Sequence, residues 1–547
     1  MRVTGLGHAS ALIETRYGRI LTDPWVNPAY FGSWFPFPDN SGLDWDTLGQ
    51  VEYLYVSHLH RDHFDPRHLA EHVSKDARVL LPAFATTELH DRLEKLGFRH
   101  FVETVSDEVV ELDGGLQVMV QALTSPTDGP IGDSSLWVSD GEHVLLNQND
   151  ARPAELDVFK ALGPVDAYLI QFSGAIWYPM VYELPTRAKQ ALGEQKRERQ
   201  FDRSLRYIEE LGARYVYPTA GPPCFLDPEL WEFNDLGDDP GNIFPDQSVY
   251  LAWMAEQGHD EGRLLLPGSV SDLAVDGAPV RHAIDPVTVF GANKPVYLKA
   301  MQERRQPEVE AAKATWAHPE IDLLPALQEW FTPLLAEAER MAAGIDGGIR
   351  ILGRGEDGGG ADRGDVDLIV DFVAREVRAY AGEKVRYQWT TQRAYLEQLV
   401  HEHEIDWVNS LFLSCRFSAR RIGPYNEFVY TFFKCLSEER LNYAEGWYAE
   451  QDAAAAAETV ELDGWQVQRR CPHLKADLTR FGTVDGSTLT CQMHGWKWDL
   501  DSGRCLTSVG NDIRAARAGE PVPAGAPVSR PAEDTPDERG QHEHEGT

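Results

Sequence analysis

Long hydrophobic runs are missing from the sequence: no stretch reaches the roughly 20 consecutive apolar residues that a membrane-spanning helix needs. The first ten residues, MRVTGLGHAS, also lack the basic start and the apolar run of a secretory signal peptide. These absences argue against a membrane span and against signal-directed export. The sequence therefore predicts a cytoplasmic protein.

Basic residues are scarce relative to acidic ones. Lys plus Arg number 51 against 87 Asp plus Glu, which gives a net charge of −36. A charge of this sign repels nucleic acid and anionic membrane surfaces, so neither is expected as a partner. An anionic small substrate would need a local basic cluster, and the densest one runs from Arg187 to Arg206. This segment either binds such an anion through bidentate Arg contacts or is a solvated helix with Glu–Arg pairs.

Cysteine is also rare, with six residues in a chain of 547. So few cysteines exclude a disulfide framework, and in a reducing compartment they are more often metal ligands or buried apolar residues. Two of them lie where ligands are expected, as described below. The other four are predicted to be packed thiols: Cys224, Cys415, Cys435 and Cys505.

The length exceeds what a single hydrophobic core supports, so several domains are expected. Residues 1–270 alternate short β-rich runs with helical stretches, which predicts an α/β domain. Residues 286–450 mix helices and strands in an α+β connecting domain, and residues 458–512 form a small all-β module. Residues 515–547 have hardly any large apolar side chain and are predicted to be a disordered acidic tail.

Two Cys/His pairs lie in the small C-terminal module. Cys471 and His473 form C-x-H, and after seventeen residues Cys491 and His494 form C-x2-H. Two thiolates on one iron and two imidazoles on the other are the ligands of a Rieske [2Fe–2S] cluster. Residues 481–490 read as strand, Asp-Gly turn and strand, which returns the second pair beside the first.

A zinc site is the competing interpretation of these pairs. Classical zinc fingers pair Cys with Cys and His with His, whereas each pair here is mixed. The run CQMHGWKWDLDSG from Cys491 also resembles the second box of Rieske oxygenases and ferredoxins. Respiratory Rieske proteins carry an additional cysteine in each box, and none is present here, so the oxygenase and ferredoxin type is favoured.

The N-terminal region contains a second group of ligand-type residues directly after a β-run. His58, His60, Asp62 and His63 form H-x-H-x-D-H behind the run YLYVS. In extended geometry His58 and His60 project to the same side, and the next two residues follow in a turn, so all four converge. This pattern resembles the metal loop of the metallo-β-lactamase superfamily, as does the opening segment from Gly7 to Trp25. The resemblance implies an αββα sandwich.

The sequence departs from the hydrolytic members of that superfamily at two loops. The loop expected to supply a third His contains Asp128 instead, and the last-His loop, residues 217–224, has no His. The bridging Asp has a candidate in Asp150. Two His and carboxylates with open positions are the pattern of non-haem Fe(II) enzymes that activate O2.

We therefore predict His58, His60 and Asp150 as ligands of a mononuclear Fe(II). Asp128 either replaces the third His or is a turn residue. The neighbouring residues Asp62 and His63 form either a second metal subsite or outer partners that orient the ligands. The pair His401 and His403 lies in a helical segment whose residues two apart face different directions, which predicts a solvated helix end.

The two predicted metal sites complement each other. A Rieske cluster moves one electron at a time and cannot bind substrate at its iron, so it must serve another site. An Fe(II) site that hydroxylates a C–H bond with O2 needs two electrons from outside. Together they predict a monooxygenase, and since no flavin or nicotinamide motif is convincing, a separate reductase, with a ferredoxin or similar donor, is expected.

Residues 1–512 as a whole resemble the actinobacterial UDP-N-acetylmuramic acid (UDP-MurNAc) hydroxylases, through segments such as SGAIWYPMVY and RRCPHLKADL. A more distant resemblance is to CMP-N-acetylneuraminic acid hydroxylase, which has the two domains in the opposite order. The resemblance implies hydroxylation of the N-acetyl methyl of UDP-MurNAc to N-glycolyl, for peptidoglycan. Two alternatives are a metal-dependent hydrolase with a redox-sensing Rieske domain and an electron carrier on an inactive scaffold. The oligomeric state does not follow from the sequence.

Overall fold

The fold is given by a computed structural model of the 547-residue chain. The structure describes residues 1–125, 132–174, 176–237, 239–355, 364–453, 459–469, 471–472, 478–492, 495–507 and 512–522. Within these residues no helix has both the length and the apolar character needed to cross a membrane.

The N-terminal half is built on two mixed β-sheets. Its strands are β1 Arg2–Gly7, β2 Ser10–Thr15, β3 Gly18–Thr22, β4 Phe35–Pro36, β5 Tyr53–Tyr55, β6 Arg78–Leu81, β7 Phe101–Glu103, β8 Val109–Glu111, β9 Gln117–Leu123, β10 Asp133–Ser139, β11 Val144–Asn149, β12 Ala167–Gln171, β13 Tyr215–Thr219, β14 Pro223–Cys224, β15 Val270–Asp272 and β16 Val280–Arg281. The first sheet has the order β16-β15-β1-β2-β3-β5-β6-β7 and the second the order β13-β12-β11-β10-β9-β8. The first sheet thus includes β16, which lies past the predicted domain end at residue 270.

Helices cover the outer faces of both sheets. They are α1 Trp45–Leu48, α2 Pro66–His72, α3 Glu88–Lys95, α4 Asp157–Ala161, α5 Thr186–Leu211 and α6 Gln247–Glu256. Between the sheets lies an apolar core of alternating inward residues, with Ile13 and Ile20 from one side and Leu136 and Leu169 from the other. The result is the predicted metallo-β-lactamase-like αββα sandwich.

The middle region is an α+β unit around a five-stranded sheet. Its elements are α7 Lys294–Lys313, α8 Leu323–Glu337, α9 Glu339–Ile345, β17 Gly348–Arg354, β18 Val366–Asp371, β19 Glu376–Ala379, β20 Val385–Gln392, α10 Arg393–His401, a π-turn Val408–Phe412, β21 Phe417–Arg421, α11 Glu427–Lys434 and α12 Glu438–Ala453. The strand order is β19-β18-β17-β20-β21. Short 3-10 turns at Asp113–Gly115, Pro228–Phe233, Pro286–Thr288 and Gly291–Asn293 complete the helical elements.

The C-terminal module consists of two small antiparallel sheets. Its elements are β22 Thr459–Leu462, β23 Trp465–Gln468, α13 Leu478–Phe481, β24 Gly482–Asp485, β25 Thr488–Cys491, β26 Trp496–Asp499, β27 Arg504–Cys505 and β28 Ala515–Arg517. Strands β24 and β25 form the hairpin that the sequence predicts, with Gly486 in the left-handed region at φ 64°.

Strand β28 corrects the predicted start of the disordered tail. It pairs with β23, and the Arg517 guanidinium lies 3.7 Å from the centre of the Trp465 ring. Residues 515–517 therefore belong to the sheet. Their backbone N–H and C=O groups pair with β23, and the low apolar content of this segment gives no sign of that pairing. The remainder of the predicted tail, from residue 523, lies outside the described residues.

The C-terminal module shares a core with the N-terminal sandwich. Its residues Trp465, Cys471 and Cys491 lie in one continuous apolar cluster with Tyr207 and Ile208 of α5. The cysteines predicted to be packed thiols are all buried: Cys224, Cys415, Cys435 and Cys505.

Candidate metal centre

The H-x-H-x-D-H residues lie in the loop that connects β5 to α2. The backbone N–H groups of His63 and Phe64 both donate to the carbonyl oxygen of His60, over 3.0 and 2.7 Å, which closes a tight turn. Helix α2 then begins at Pro66, capped by the Asp65 side chain, which accepts from the N–H of His68. The turn and the cap together hold the loop at the end of the strand.

His58, His60 and Asp150 come together although two sheets supply them. One potential ligand atom from each lies within 4.8 Å of the others, and Nε2 of His58 lies 2.7 Å from Nδ1 of His60. His58 is fully buried, whereas the other two are partly exposed. Two imidazole nitrogens and one carboxylate oxygen are donor types that divalent metal ions accept in proteins. The donor set of two imidazoles and one carboxylate thus fits a metal ion.

Outer hydrogen bonds orient His58. Its Nδ1 lies 2.9 Å from Oγ of Ser57 and 3.3 Å from Oδ1 of Asp133. A carboxylate on the outer ring nitrogen sets the tautomer that leaves the inner nitrogen free to bind a metal. Burial, together with the neighbouring His63 and His60, holds the pKa of His58 well below its usual value, so the imidazole is neutral as a ligand requires.

Asp23, which the sequence interpretation did not assign, contacts several residues around the candidate site. Its carboxylate accepts from the N–H of Ser57 over 2.7 Å and from the Ser57 hydroxyl over 2.9 Å. The same carboxylate contacts Nδ1 of His63 at 3.2 Å and the side-chain amide of Asn149. It thereby ties the H-x-H loop to the strand that leads into Asp150. The only sequence signal was its place in the DPW motif of the opening segment.

The two neighbouring residues differ in what they contact. Both oxygens of Asp62 are engaged, one with Nε2 of His8 at 2.9 Å and one with the hydroxyl of Tyr30. In contrast, Nε2 of His63 lies 3.5 Å from Oδ2 of Asp150 and has no hydrogen-bond partner among the described residues. Burial disfavours the charged form of His63, but the Asp150 and Asp62 carboxylates outweigh it and raise its pKa well above the usual value.

His8, Asp62 and His63 form a second cluster whose ligand atoms also lie within 4.8 Å of one another. Both interpretations of the neighbouring pair, a second subsite and outer partners, therefore have a geometric basis. The sequence interpretation missed His8 as a member, and its signal was the Gly7-His8 pair of the opening segment. A third group, His318, Glu320 and His401, lies at the surface, where its residues are partly or fully exposed, unlike the buried or half-buried residues of the other two clusters.

The predicted Rieske ligands are described in part. Cys471 and Cys491 are buried, and the hairpin β24–β25 brings the second of them back through the core. The predicted ligands His473 and His494, like Asp128 of the N-terminal site, lie outside the described residues. Two buried thiols, one after β23 and one at the end of β25, lie in one apolar cluster with Leu489 and Trp498 and fit the thiolate half of the cluster.

The basic segment forms part of α5, and one of its faces is buried beside the metal centre. Arg203 is buried and Lys196 is half-buried, and Nζ of Lys196 donates to the carbonyl of Tyr178 over 3.0 Å. Arg152, two residues after Asp150, joins them and donates to Gln171 over 3.0 Å.

Burial and neighbouring positive charges lower the pKa values of two of these cations. Burial lowers the pKa of Lys196 well below its usual value, and the like charges of Arg152 and Arg203 lower it further. Burial and Arg152 also lower the pKa of Arg203 to about 9, and Asp150 acts on it in the opposite direction. We refer to Arg152, Lys196 and Arg203 as the cation pocket. A fully solvated helix, one of the two expectations for this segment, does not describe that face.

Two family models match the chain. The model for an Rv3818-like, SCP2-like domain covers residues 323–450, which the sequence interpretation had described only as α+β, and the Rieske [2Fe-2S] domain model covers residues 464–512. The second match confirms the predicted Rieske cluster.

Curated relatives match over nearly the whole chain. A protein of Mycolicibacterium smegmatis, named as a Rieske 2Fe-2S iron-sulfur protein, is 50% identical over 525 residues, covering 94% of this chain and 100% of the relative. The Rieske 2Fe-2S iron-sulfur protein Rv3818 of Mycobacterium tuberculosis H37Rv is 49% identical over 529 residues, with coverage of 94% and 100%. Among solved structures, CmlA, a diiron β-hydroxylase from Streptomyces venezuelae, is similar at 19% identity and a TM-score of 0.33, covering 48% of this chain and 53% of CmlA.

Proposed function

The chain belongs to the Rv3818-like family of Rieske 2Fe–2S iron–sulfur proteins, and from that membership we propose that it is an O2-dependent hydroxylase. Its Rieske cluster would supply electrons to an iron ion held by His58, His60 and Asp150. The observation that carries the proposal is the shared core. The cysteines of the Rieske module pack in one apolar cluster with α5, the helix that also borders the metal centre.

The donor set supports iron at the N-terminal centre. Two imidazoles and one carboxylate leave coordination positions open, as in non-haem oxygenases. An iron ion bound there would supply the binding and activation of O2. The chain's own residues keep the ligands in place: Asp23 and Ser57 hold the loop, and the Ser57 and Asp133 oxygens orient His58.

For the substrate, we propose UDP-MurNAc, whose N-acetyl methyl would become N-glycolyl. The whole-chain resemblance to the UDP-MurNAc hydroxylases supports this choice. The cation pocket supports it independently, because three cations placed close together attract an anion. A diphosphate suits Arg152 and Arg203, whose planar guanidinium groups bind phosphate oxygens in a bidentate manner.

The proposed reaction also needs molecules other than the nucleotide-sugar substrate. It requires O2 and an electron donor of the ferredoxin class with its reductase, and it would act in the cytoplasm, in keeping with a nucleotide-sugar substrate. Per turnover, two electrons, two protons and O2 would give one hydroxyl group on the substrate and one water. The glycolylated product would then enter peptidoglycan.

The test is mass spectrometry of UDP-MurNAc incubated with anaerobically reconstituted protein, reductant and ¹⁸O2. We expect one labelled oxygen atom in the N-acyl group, and no labelled product from the His60→Ala protein. Hydrolysis of the substrate without incorporation of label would instead favour the hydrolase alternative.

Metal analysis adds an independent criterion. About three irons per chain favour the hydroxylase, because a Rieske cluster holds two and a mononuclear site one. Two irons with two zincs would favour the hydrolase, whose dinuclear centre would use the second cluster of His8, Asp62 and His63. Two irons alone would favour an electron carrier.

The cation pocket is tested by substituting its lysine. Lys196→Met keeps the length of the side chain and removes its charge, so the KM for UDP-MurNAc should rise. The matched control is Lys189→Met, a substitution on the same helix of a lysine that also donates to a backbone carbonyl, that of Met180. Equal KM values for both variants would argue against the pocket as the anion site.

A further inference from the structure

Among the described residues, Arg480 of the Rieske module forms ion pairs with two helices of the N-terminal sandwich. Arg480 donates from Nη2 to Asp157 over 2.7 Å and from Nη1 to Glu210 over 2.8 Å. Asp157 lies in α4 and Glu210 in α5, so a single guanidinium contacts both helices. These pairs fix which part of the module faces the sandwich.

The residue after Arg480 makes the apolar contact. The ring of Phe481 lies 6.1 Å from that of Tyr207, centre to centre, at an interplanar angle of 62°, and both side chains are buried. The carbonyl oxygen of Phe481 accepts from the N–H of Gln492 over 2.7 Å. Gln492 follows the cluster ligand Cys491 directly, so Phe481 is connected to the Rieske centre by one hydrogen bond and one peptide unit.

The other end of Tyr207 points toward the metal centre. Its hydroxyl donates to the carbonyl oxygen of Pro153 over 2.7 Å in the buried interior. Pro153 is three residues from Asp150, the proposed carboxylate ligand of the iron. Tyr207 thus contacts Phe481, which is hydrogen-bonded to the residue after Cys491. It also contacts Pro153, which lies three residues after Asp150.

We propose that Tyr207 is a positioning residue for electron transfer, and that electrons pass through it from the Rieske centre to the N-terminal centre of the same chain. The inference rests on the proposed function. In each transfer the reduced [2Fe–2S] cluster loses one electron and the N-terminal centre gains it, while Tyr207 ends unchanged. An external donor of the ferredoxin class then reduces the cluster again for the second electron.

The environment of Tyr207 keeps its contacts with Phe481 and Pro153 in place. Burial raises the pKa of its phenol above the usual value, and the nearby Arg203 and Arg152 only partly offset that. The hydroxyl therefore keeps its proton at neutral pH, and the hydrogen bond to Pro153 persists. Close packing around the ring also leaves it little freedom to move.

A second aromatic contact leaves the Rieske module in another direction. Trp496 lies 6.1 Å from Tyr425, which stacks on Tyr430 at 5.3 Å in the core of the middle domain. The contacts from Trp496 through Tyr425 to Tyr430 lead into the apolar core of the middle domain and not to the backbone of a predicted metal ligand. It is the competing route, and Tyr425→Leu tests it.

The experiment follows the colour and the electron paramagnetic resonance (EPR) signal of the cluster, not product alone. Fully reduced, iron-loaded protein with bound UDP-MurNAc is mixed rapidly with O2, and reoxidation of the Rieske centre is recorded. Tyr207→Phe, which keeps the ring and removes the hydrogen bond, should slow reoxidation several-fold, and Tyr207→Ala should slow it further. The EPR g-values, the midpoint potential and the iron content should stay at wild-type values.

The matched control is Tyr250→Phe, which removes a buried hydroxyl from the same core, where the ring packs on Phe172 and Phe201. It should reoxidise like the wild type. Wild-type rates in both Tyr207 variants, or slowing in Tyr425→Leu alone, would overturn the inference while leaving the proposed function intact. A wild-type cluster whose reoxidation does not depend on the N-terminal iron would overturn the proposed function as well.

Transfer within one chain has its own test. Co-expressed Cys471→Ser and His60→Ala chains each keep one of the two centres, so product would form only if electrons cross between chains. We expect no product from the co-expressed, co-purified mixture of the two. Glycolylated product from such a mixture would show that electrons pass between subunits and would overturn the inference.

Discussion

Arg416 donates from Nη2 to Oδ2 of Asp227 over 2.7 Å, and both side chains are buried. Nζ of Lys313 adds a second cation at 2.9 Å. Asp227 lies in the N-terminal half, whereas Arg416 immediately precedes β21 of the middle domain. A buried charge is tolerated only when it is paired, so this contact fixes how the two domains meet.

Removing the charge of Asp227 should destabilise the protein strongly. Asp227→Asn leaves the Arg416 guanidinium buried without its carboxylate, which typically costs about 3–5 kcal/mol of unfolding free energy. Urea unfolding followed by circular dichroism measures the change. Glu229→Gln is the matched control: this more exposed carboxylate contacts the same two cations at 3.4 and 3.5 Å, and its loss should cost about 0–1 kcal/mol. Equal losses in both variants would contradict this account.

The same pair predicts a dependence on pH. Burial alone would raise the pKa of Asp227, but Lys313 and Arg416 outweigh it and hold the value below the usual one. For a carboxyl group whose folded-state pKa is depressed, the stabilisation is complete above the unfolded-state pKa of about 3.9 and is lost as pH falls through the folded-state pKa. The stability gap between wild type and Asp227→Asn should therefore narrow on acidification below about pH 4. A gap that stays constant down to the acid transition would contradict the depressed pKa.

His60→Ala should separate electron entry from chemistry. The variant loses one nitrogen ligand, so iron content should fall from about three towards two per chain. Dithionite should still reduce its Rieske cluster, yet no hydroxylated UDP-MurNAc should form. His401→Ala, which removes a histidine from the distant surface cluster, serves as the control and should retain activity. Near-normal turnover by His60→Ala would place the iron elsewhere.

Cys471→Ser should abolish the Rieske EPR signal while the N-terminal metal stays bound, because the proposed ligands of the two centres come from separate parts of the chain. The same result is predicted for His494→Ala. Metal analysis and EPR of each purified variant decide this. Loss of both metals would mean that the shared apolar core requires the cluster in order to fold.

Two truncations should behave differently. Deleting residues 523–547 should leave turnover unchanged, since this segment contains hardly any of the large apolar side chains that a packed core needs. Deleting from residue 516 removes most of β28 and the Arg517 side chain that covers Trp465. The thermal stability of the Rieske EPR signal should therefore fall only in the longer deletion. A large loss of turnover in the shorter deletion would show that the tail docks on the protein.

The sequence by itself determined the local chemistry of both centres. In the H-x-H loop and in the C-x-H and C-x2-H pairs, the ligand-type residues lie within a few positions of one another. Strand and turn geometry then largely sets how they project, and the hairpin between Gly482 and Cys491 could be predicted for the same reason. The α/β character of the first domain followed from alternating strand and helix patterns, and the αββα sandwich followed from the resemblance of the H-x-H-x-D-H loop to the metallo-β-lactamase superfamily.

Only the tertiary structure decided what surrounds those ligands. Asp23 meets Asn149, and His8 meets Asp62, through contacts between residues far apart in the chain, which no local pattern encodes. The same holds for the cation pocket, because a run of Arg and Lys does not reveal which face of its helix is buried. The contact from Phe481 through Tyr207 to Pro153 depends on how the Rieske module packs against α5, and packing complementarity is a property of the assembled core and not of either sequence segment alone.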